Sequence, residues 1–197
     1  MPASEPATRL MLILPTDIAA PAVGPLVRAG DIAAVVAHVA DGPKERERLA
    51  ALAAPIQQAG AAFLLDGRAD LVAAVGADGA HLPGVSPLRA ALPALKPRHI
   101  AGVGGLASRH HAMEAGEAGA DYVLFGDLDG PFELTLDAVD WWAELFEVPC
   151  VGIAQTEEEA LALARAGADF IALDGPMLTE AAIGKVDALI RAAETQR

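Results

Sequence analysis

The 197-residue sequence has one cysteine, three lysines and few aromatic side chains, 4% of the total. One cysteine, Cys150, excludes an intramolecular disulfide and any cysteine-based metal cluster. Its setting in the apolar run "VPCVGIA" points instead to a buried, inert thiol. Positive charge is scarce: 14 Lys and Arg stand against 27 Asp and Glu, a formal net charge of -13. That balance repels phosphate backbones, so nucleic acid is not an expected partner. A long apolar run is also missing. "LMLIL" near the start is too short for a signal-peptide core or a membrane span, and no basic region precedes it. The expectation is a soluble, cytoplasmic protein with no membrane partner.

What is present is a core-forming composition. Hydrophobic residues make up 53% of the chain, mainly Ala, Val, Leu and Ile, which suits helices packed closely on a sheet. The length fits one domain, with residues 1–8 and the last few as loose ends and the domain occupying 9–197.

Three segments repeat one phrase: "AVGADGAHL" from Ala74, "EAGADYVLFG" from Glu117 and "RAGADFIALD" from Arg165. In each, an alanine-rich helical pattern ends on a glycine suited to the left-handed position, and an apolar run of buried-strand length follows. Reading the chain with this unit gives strand candidates at 9–15, 32–39, 62–65, 78–82, 99–103, 121–125, 149–153 and 169–173. Helical patterns separate them. Residues 44–59 form one such pattern, with a kink expected at Pro55. Ser108 is a plausible N-cap, and Thr156 with Glu159 has capping-box spacing. The alternation predicts a single α/β domain, a (β/α)8 or TIM barrel. A doubly wound sheet is the alternative, but no G-x-G-x-x-G follows the first strand. The glycine-rich "GVGGLAS" at 102–108 reads as a barrel loop or a weak anion nest.

Barrel sites form where strands run into helices, so the run ends are the residues to inspect. Asp-Gly closes four runs, at Asp41, Asp66, Asp129 and Asp174. Turn chemistry explains each of them singly, yet carboxylates gathered on that face would shift one another's pKa or gather a cation. None of Lys44, Lys96 and Lys185 lies in or directly at the end of a strand candidate, which leaves a Schiff-base mechanism without a nucleophile. His38 and His81 fall on strands or their ends; His99, His110 and His111 lie away from the mouth.

At "FLLDGRADLVAAVGADGAHLPG" and "AGVGGLASRHHAMEAGEAGADYVLFGD" the chain resembles the thiamin phosphate synthase and TenI family of small barrels. Synthases of this family join a pyrimidine diphosphate to a thiazole phosphate, and the resemblance implies magnesium if that activity is retained; no other cofactor is expected. The family's cationic Q-x-R-x-K strand end falls near Val36, His38 and Ala40. Its Asn-Asp-Arg reads Asp66-Gly67-Arg68, keeping the arginine and losing an aspartate used on magnesium, and the second such aspartate falls near Ser86. The glycine pair of its phosphate grip becomes Ala154-Gln155, and Asp174 stands beside Gly175 where the resemblance implies an anion. Asp127 takes the place of the histidine that TenI-type tautomerases carry after the sixth strand.

Three readings follow: a diverged barrel that binds a small metabolite at its C-terminal face with carboxylate-based proton transfer, a true thiamin phosphate synthase, or a non-catalytic barrel that binds a metabolite or a partner. Asp66, His81 and Asp127 are the candidate catalytic residues. His38, Arg68, Gly104, Gly126, Gln155, Asp174 and Gly175 are the candidate substrate-binding residues, and no resident metal site is assigned. The adjacent Trp141 and Trp142 point about 100° apart on a helix. One ring is expected in the core, with the other either flat on the surface or at a homodimer interface.

Overall fold

The computed structural model describes residues 8–195. Strands β1 (Arg9–Leu14), β2 (Ile32–Ala37), β3 (Ala62–Asp66), β4 (Gly79–Pro83), β5 (Ile100–Gly104), β6 (Tyr122–Phe125), β7 (Cys150–Ala154) and β8 (Phe170–Leu173) pair in parallel. They close in sequence order into a barrel, as the alternation predicts. Helices α1 (Ala20–Val27), α2 (Glu45–Gln58), α3 (Val72–Val75), α4 (Val85–Leu95), α5 (Arg109–Ala118), α6 (Phe132–Leu145) and α7 (Glu157–Arg165) make the crossovers, and α8 (Glu180–Glu194) follows the last strand.

Strand parity divides the core in two. Met11, Ile13, Ala34, Val36, Leu64, Tyr122, Leu124, Val151 and Ala172 pack together inside the barrel. The alternate residues, such as Leu12, Val35, Leu65, Val123 and Leu173, pack outward with the helices. This period of two, on a strand buried on both faces, is why the runs read as continuously apolar.

The repeated Gly-Ala-Asp phrase has a structural cause. Gly76, Gly119 and Gly167 take positive φ at helix ends, which turns the chain towards the next strand. The aspartate then reaches sideways to the preceding strand. Asp78 Oδ2 accepts from Phe63 N at 2.8 Å, Asp121 Oδ2 from Ala101 N at 2.7 Å and Asp169 Oδ2 from Cys150 N at 2.8 Å. These bonds lie at the strand starts, opposite the mouth, and satisfy amides the ladder leaves open. Cys150 is fully buried, so Asp169→Ala would orphan its amide. A loss of about 1–3 kcal/mol is expected, read as a lower urea midpoint with an unchanged slope.

Ser108 caps α5 by accepting from His111 N, and Thr156 caps α7 by accepting from Glu159 N. Glu159 returns its carboxylate to Gln155 N, one residue before the expected partner. Helix α2 continues as one element through Pro55. Two further expectations need correction. Strand β5 runs to Gly104, one residue past the expected 99–103, so the glycine-rich loop begins at Gly105 and not at Gly102; Gly102 leaves space for the Tyr122 ring and Gly104 for the His81 ring. Thr8, placed among the loose ends, is buried and donates through Oγ1 to Ala168 O; residues 1–7 and 196–197 lie outside the described residues. Trp142 is buried and donates to Val148 O, whereas Trp141 stays half-buried beneath the Arg109 guanidinium, 4.7 Å from its ring centre. Burial pushes the Cys150 thiol up to about 12, consistent with the inert thiol expected of its setting.

Candidate active site

Continuing the inward parity to the carboxyl ends of the strands puts His38, Asp66, His81, Gly104, Gly126, Gln155 and Asp174 around the mouth. Asp66 and His81 are register partners on β3 and β4. Ala37 pairs with Leu65 on the neighbouring strands, which brings His38 beside Asp66. Three adjacent strands therefore deliver a histidine, a carboxylate and a second histidine side by side.

The first pair is bonded. His38 Nδ1 lies 2.7 Å from Asp66 Oδ2, with both side chains partly open to solvent. The hydrogen bond to Asp66 is the largest influence on His38 and raises its pKa above the ordinary value; Asp174 adds to this from the end of β8, and partial burial opposes it. The loop behind His38 is fixed by Arg48 of α2, whose Nη2 donates to His38 O at 2.7 Å and whose guanidinium also holds Glu45. Glu45 in turn accepts from Ala40 N. Arg48 Nη1 is buried and has no hydrogen-bond partner among the described residues.

His81 behaves differently. Its Nδ1 stands 2.9 Å from Tyr122 Oη across β5, and the two rings are stacked at 5.7 Å. Burial is the main cause that lowers its pKa to about 4, against the opposing field of Asp66. It is a neutral imidazole at ordinary pH. The buried Tyr122 hydroxyl has no other acceptor among the described residues, so it donates to Nδ1; the remaining N–H is then on Nε2, beside Gly104, where a Cβ would come within 2.7 Å of that nitrogen. Burial drives the Tyr122 hydroxyl well above its usual range, so it stays protonated as the orienting donor.

The other candidate residues are placed as follows. Asp174 turns back on its own backbone: Oδ1 accepts from Gly175 N, so the amide an anion would use is already occupied by a carboxylate. Arg68 makes no hydrogen bond to the dyad and instead binds Asp70 through two bonds of 2.8 Å. Gln155 donates to Leu128 O. Asp127 sits in its own turn, where Oδ1 accepts from Asp129 N at 3.3 Å, and the structure does not bring it to His38, Asp66 or His81. Gly126 and Asp127 instead line a cleft of about 550 Å³ with Phe125, Leu134 and Thr135. A second cleft, of about 480 Å³, lies between α4 and α5. The two share Gly105, Leu106 and Ala107, and each has the size of a small-molecule site.

The donor set does not fit the magnesium ion that the resemblance implies. Gly67 and Ser86 offer no carboxylate where the synthases use one, and Asp66 is committed to His38. No group of three or more His, Cys, Asp or Glu side chains is placed to hold a metal among the described residues. The Asp174 cap has a measurable consequence. Asp174→Asn removes one negative charge beside Gly175, and inorganic phosphate is expected to bind several-fold more tightly by calorimetry.

Tyr122 and Arg48 are the site residues that inspection of run ends misses. Tyr122 lies inside the apolar run "YVLF", and its inward parity with Leu124 is the signal that finds it. Arg48 lies in a helix, ten residues beyond the histidine it holds, and no local pattern marks it.

Residues 23–175 match the family model described as thiamine monophosphate synthase. A "Thiamine-phosphate synthase" of Rhodospirillum centenum is 41% identical over 181 residues, 85% of this chain and 87% of that protein. One from Hyphomonas neptunium is 36% identical, covering 86% of this chain and 85% of its own length. Among solved structures, a thiamine phosphate pyrophosphorylase from Pyrococcus furiosus superposes with a TM-score of 0.80 at 22% identity, over 93% of this chain and 96% of that one; it supports the barrel fold. No helix among the described residues is long and apolar enough to cross a membrane.

Proposed function

The chain belongs to the thiamine monophosphate synthase family, and on that premise we propose that it makes thiamin phosphate at the C-terminal mouth of its barrel. In this reaction the ring nitrogen of a thiazole phosphate displaces diphosphate from the methylene carbon of a pyrimidine methyl diphosphate. The observation that carries the reading is the identity of 41% across 85% of the chain with a relative of that name. The family match runs from residue 23 to residue 175, and so includes every mouth residue described above.

The mouth's carboxylates suit the cationic side of this chemistry. As the carbon–oxygen bond breaks, positive charge grows on the methylene carbon, and the product nitrogen is a quaternary cation. Asp66 and Asp174 supply negative charge on the face where that cation forms. Neutral His81, oriented by Tyr122, offers one N–H to an uncharged heteroatom without competing for the carboxylates. No resident magnesium enters this account, because the residues present do not fit one. The test is direct: purified protein given both precursors in magnesium-containing buffer should form thiamin phosphate, detected by mass, and the absence of product at high protein concentration would remove the reading.

One observation favours a second reading, proton transfer on a thiazole substrate. The hydrogen-bonded His38–Asp66 pair, with one carboxylate and one imidazole, is the unit that general acid–base catalysis uses. Proton exchange into a thiazole phosphate without any pyrimidine partner would support it. Loss of exchange in Asp127→Asn would assign the base to the outer cleft, and loss in Asp66→Asn to the dyad.

A further inference from the structure

We infer that His38 is the general acid of the coupling, protonating the diphosphate as it departs; the inference rests on the coupling reading above. The inward positions at the eight strand ends are Pro15, His38, Asp66, His81, Gly104, Gly126, Gln155 and Asp174, and among these His38 is the side chain able to carry positive charge near neutral pH. His81 stays neutral because burial lowers its pKa to about 4. The two arginines nearest the β2 and β3 ends face other partners, Arg48 towards Glu45 and the His38 carbonyl and Arg68 towards Asp70. The Gly175 amide is capped by Asp174. A departing diphosphate therefore meets a mouth of carboxylates with one imidazolium in it.

The geometry commits that imidazolium to the role of acid. Nδ1 is held by Asp66 at 2.7 Å, and Nε2 of this partly exposed ring makes no hydrogen bond among the described residues, so Nε2–H is the proton available to a substrate at the mouth. The carbonyl of the same residue is clamped by Arg48, so the ring is positioned from both ends. The groups acting on its titration are Asp66 of β3 and Asp174 after β8, which favour the charged form, and desolvation, which opposes it. His81 of β4 is uncharged, and Arg48 of α2 touches the backbone rather than the ring. In the step itself the carbon–oxygen bond of the pyrimidine methyl diphosphate breaks and its electron pair stays on the diphosphate oxygen. The His38 Nε2 proton moves to the diphosphate, and the thiazole nitrogen lone pair forms the new carbon–nitrogen bond. Protonated diphosphate leaves, and neutral His38 takes its next proton from water.

The experiment compares the pH dependence of thiamin phosphate formation by the full chain with that of His38→Gln and His38→Asn, both folded by circular dichroism. The wild type should lose rate about tenfold per pH unit above the pKa of His38. The variants should fall about 100-fold at pH 7 and lose that alkaline limb. Folded variants that keep the wild-type rate, or the same limb, overturn the acid role and leave the coupling reading standing. No product from the wild type overturns both. Should neither variant fold, the limb of Asp66→Asn carries the test: displacement to lower pH supports the inference, and an unmoved limb overturns it.

Discussion

Replacing Asp66 by Asn should lower the coupling rate far more at pH 8.5 than at pH 5.5. The reason is the sign of the Asp66 effect. Its hydrogen bond is the largest cause raising the His38 pKa, whereas burial pulls the other way. An amide in its place removes the raising influence and leaves the lowering one, so His38 loses its proton at lower pH than in the wild type. Below both pKa values the imidazole is charged in either protein, and the difference narrows to what the lost carboxylate costs the developing cation. Above both, the variant carries less of the acid form by a constant factor. A purely structural role for Asp66 would instead reduce the rate equally at both pH values. Initial rates across that range distinguish the two, and NMR titration of the His38 ring gives the same displacement independently.

The largest effect on stability should come from Gly102→Ala. A Cβ on Gly102 would lie 1.9 Å from Cζ, 2.1 Å from Cε1 and 2.3 Å from Oη of Tyr122, well inside van der Waals contact. The Tyr122 ring is buried inside the barrel and stacks on His81, so it has nowhere to go without displacing the neutral histidine. Overpacking of this kind typically costs about 1–3 kcal/mol, occasionally more. Because the clash is with a whole ring, about 3 kcal/mol or more is expected, a fall of roughly 6–12 °C in Tm for a chain of this size. Tyr122→Ala should itself destabilise by creating a cavity. In the double variant the methyl enters space the ring has left, so the combined loss should be clearly less than the sum of the two single losses. Additive losses would mean that the glycine is present for the backbone and not for the ring.

Much of the barrel is legible in the sequence because its signal is local. An apolar run of strand length, a helix-ending glycine and an aspartate recur together, and the structure accounts for all three: turn, strand and a sideways bond to the previous strand. The site is legible only in part. His38, Asp66, His81 and Asp174 can be named as run-end residues. Their arrangement follows from counting inward parity along β2, β3, β4 and β8, because a shift of one residue would turn each of them towards the helices. Asp127 shows the limit of run ends as a guide. It ends a strand as Asp66 does, but with outward parity, and it lines the cleft between α5 and α6 instead. Gly102 and Gly104 show another limit: glycine near a strand end suggests a loop, whereas here it makes room for rings arriving from β6 and β4. That requirement belongs to the closed barrel, not to the local segment.

The most direct measurement is a single turnover with protein in excess over the pyrimidine diphosphate, following diphosphate and thiamin phosphate together at pH 7. The account predicts that both appear at equal rates in a one-to-one ratio, about 100-fold more slowly in His38→Gln. Diphosphate and thiamin phosphate both absent from the wild-type reaction, with the barrel folded and the substrates intact, would contradict it.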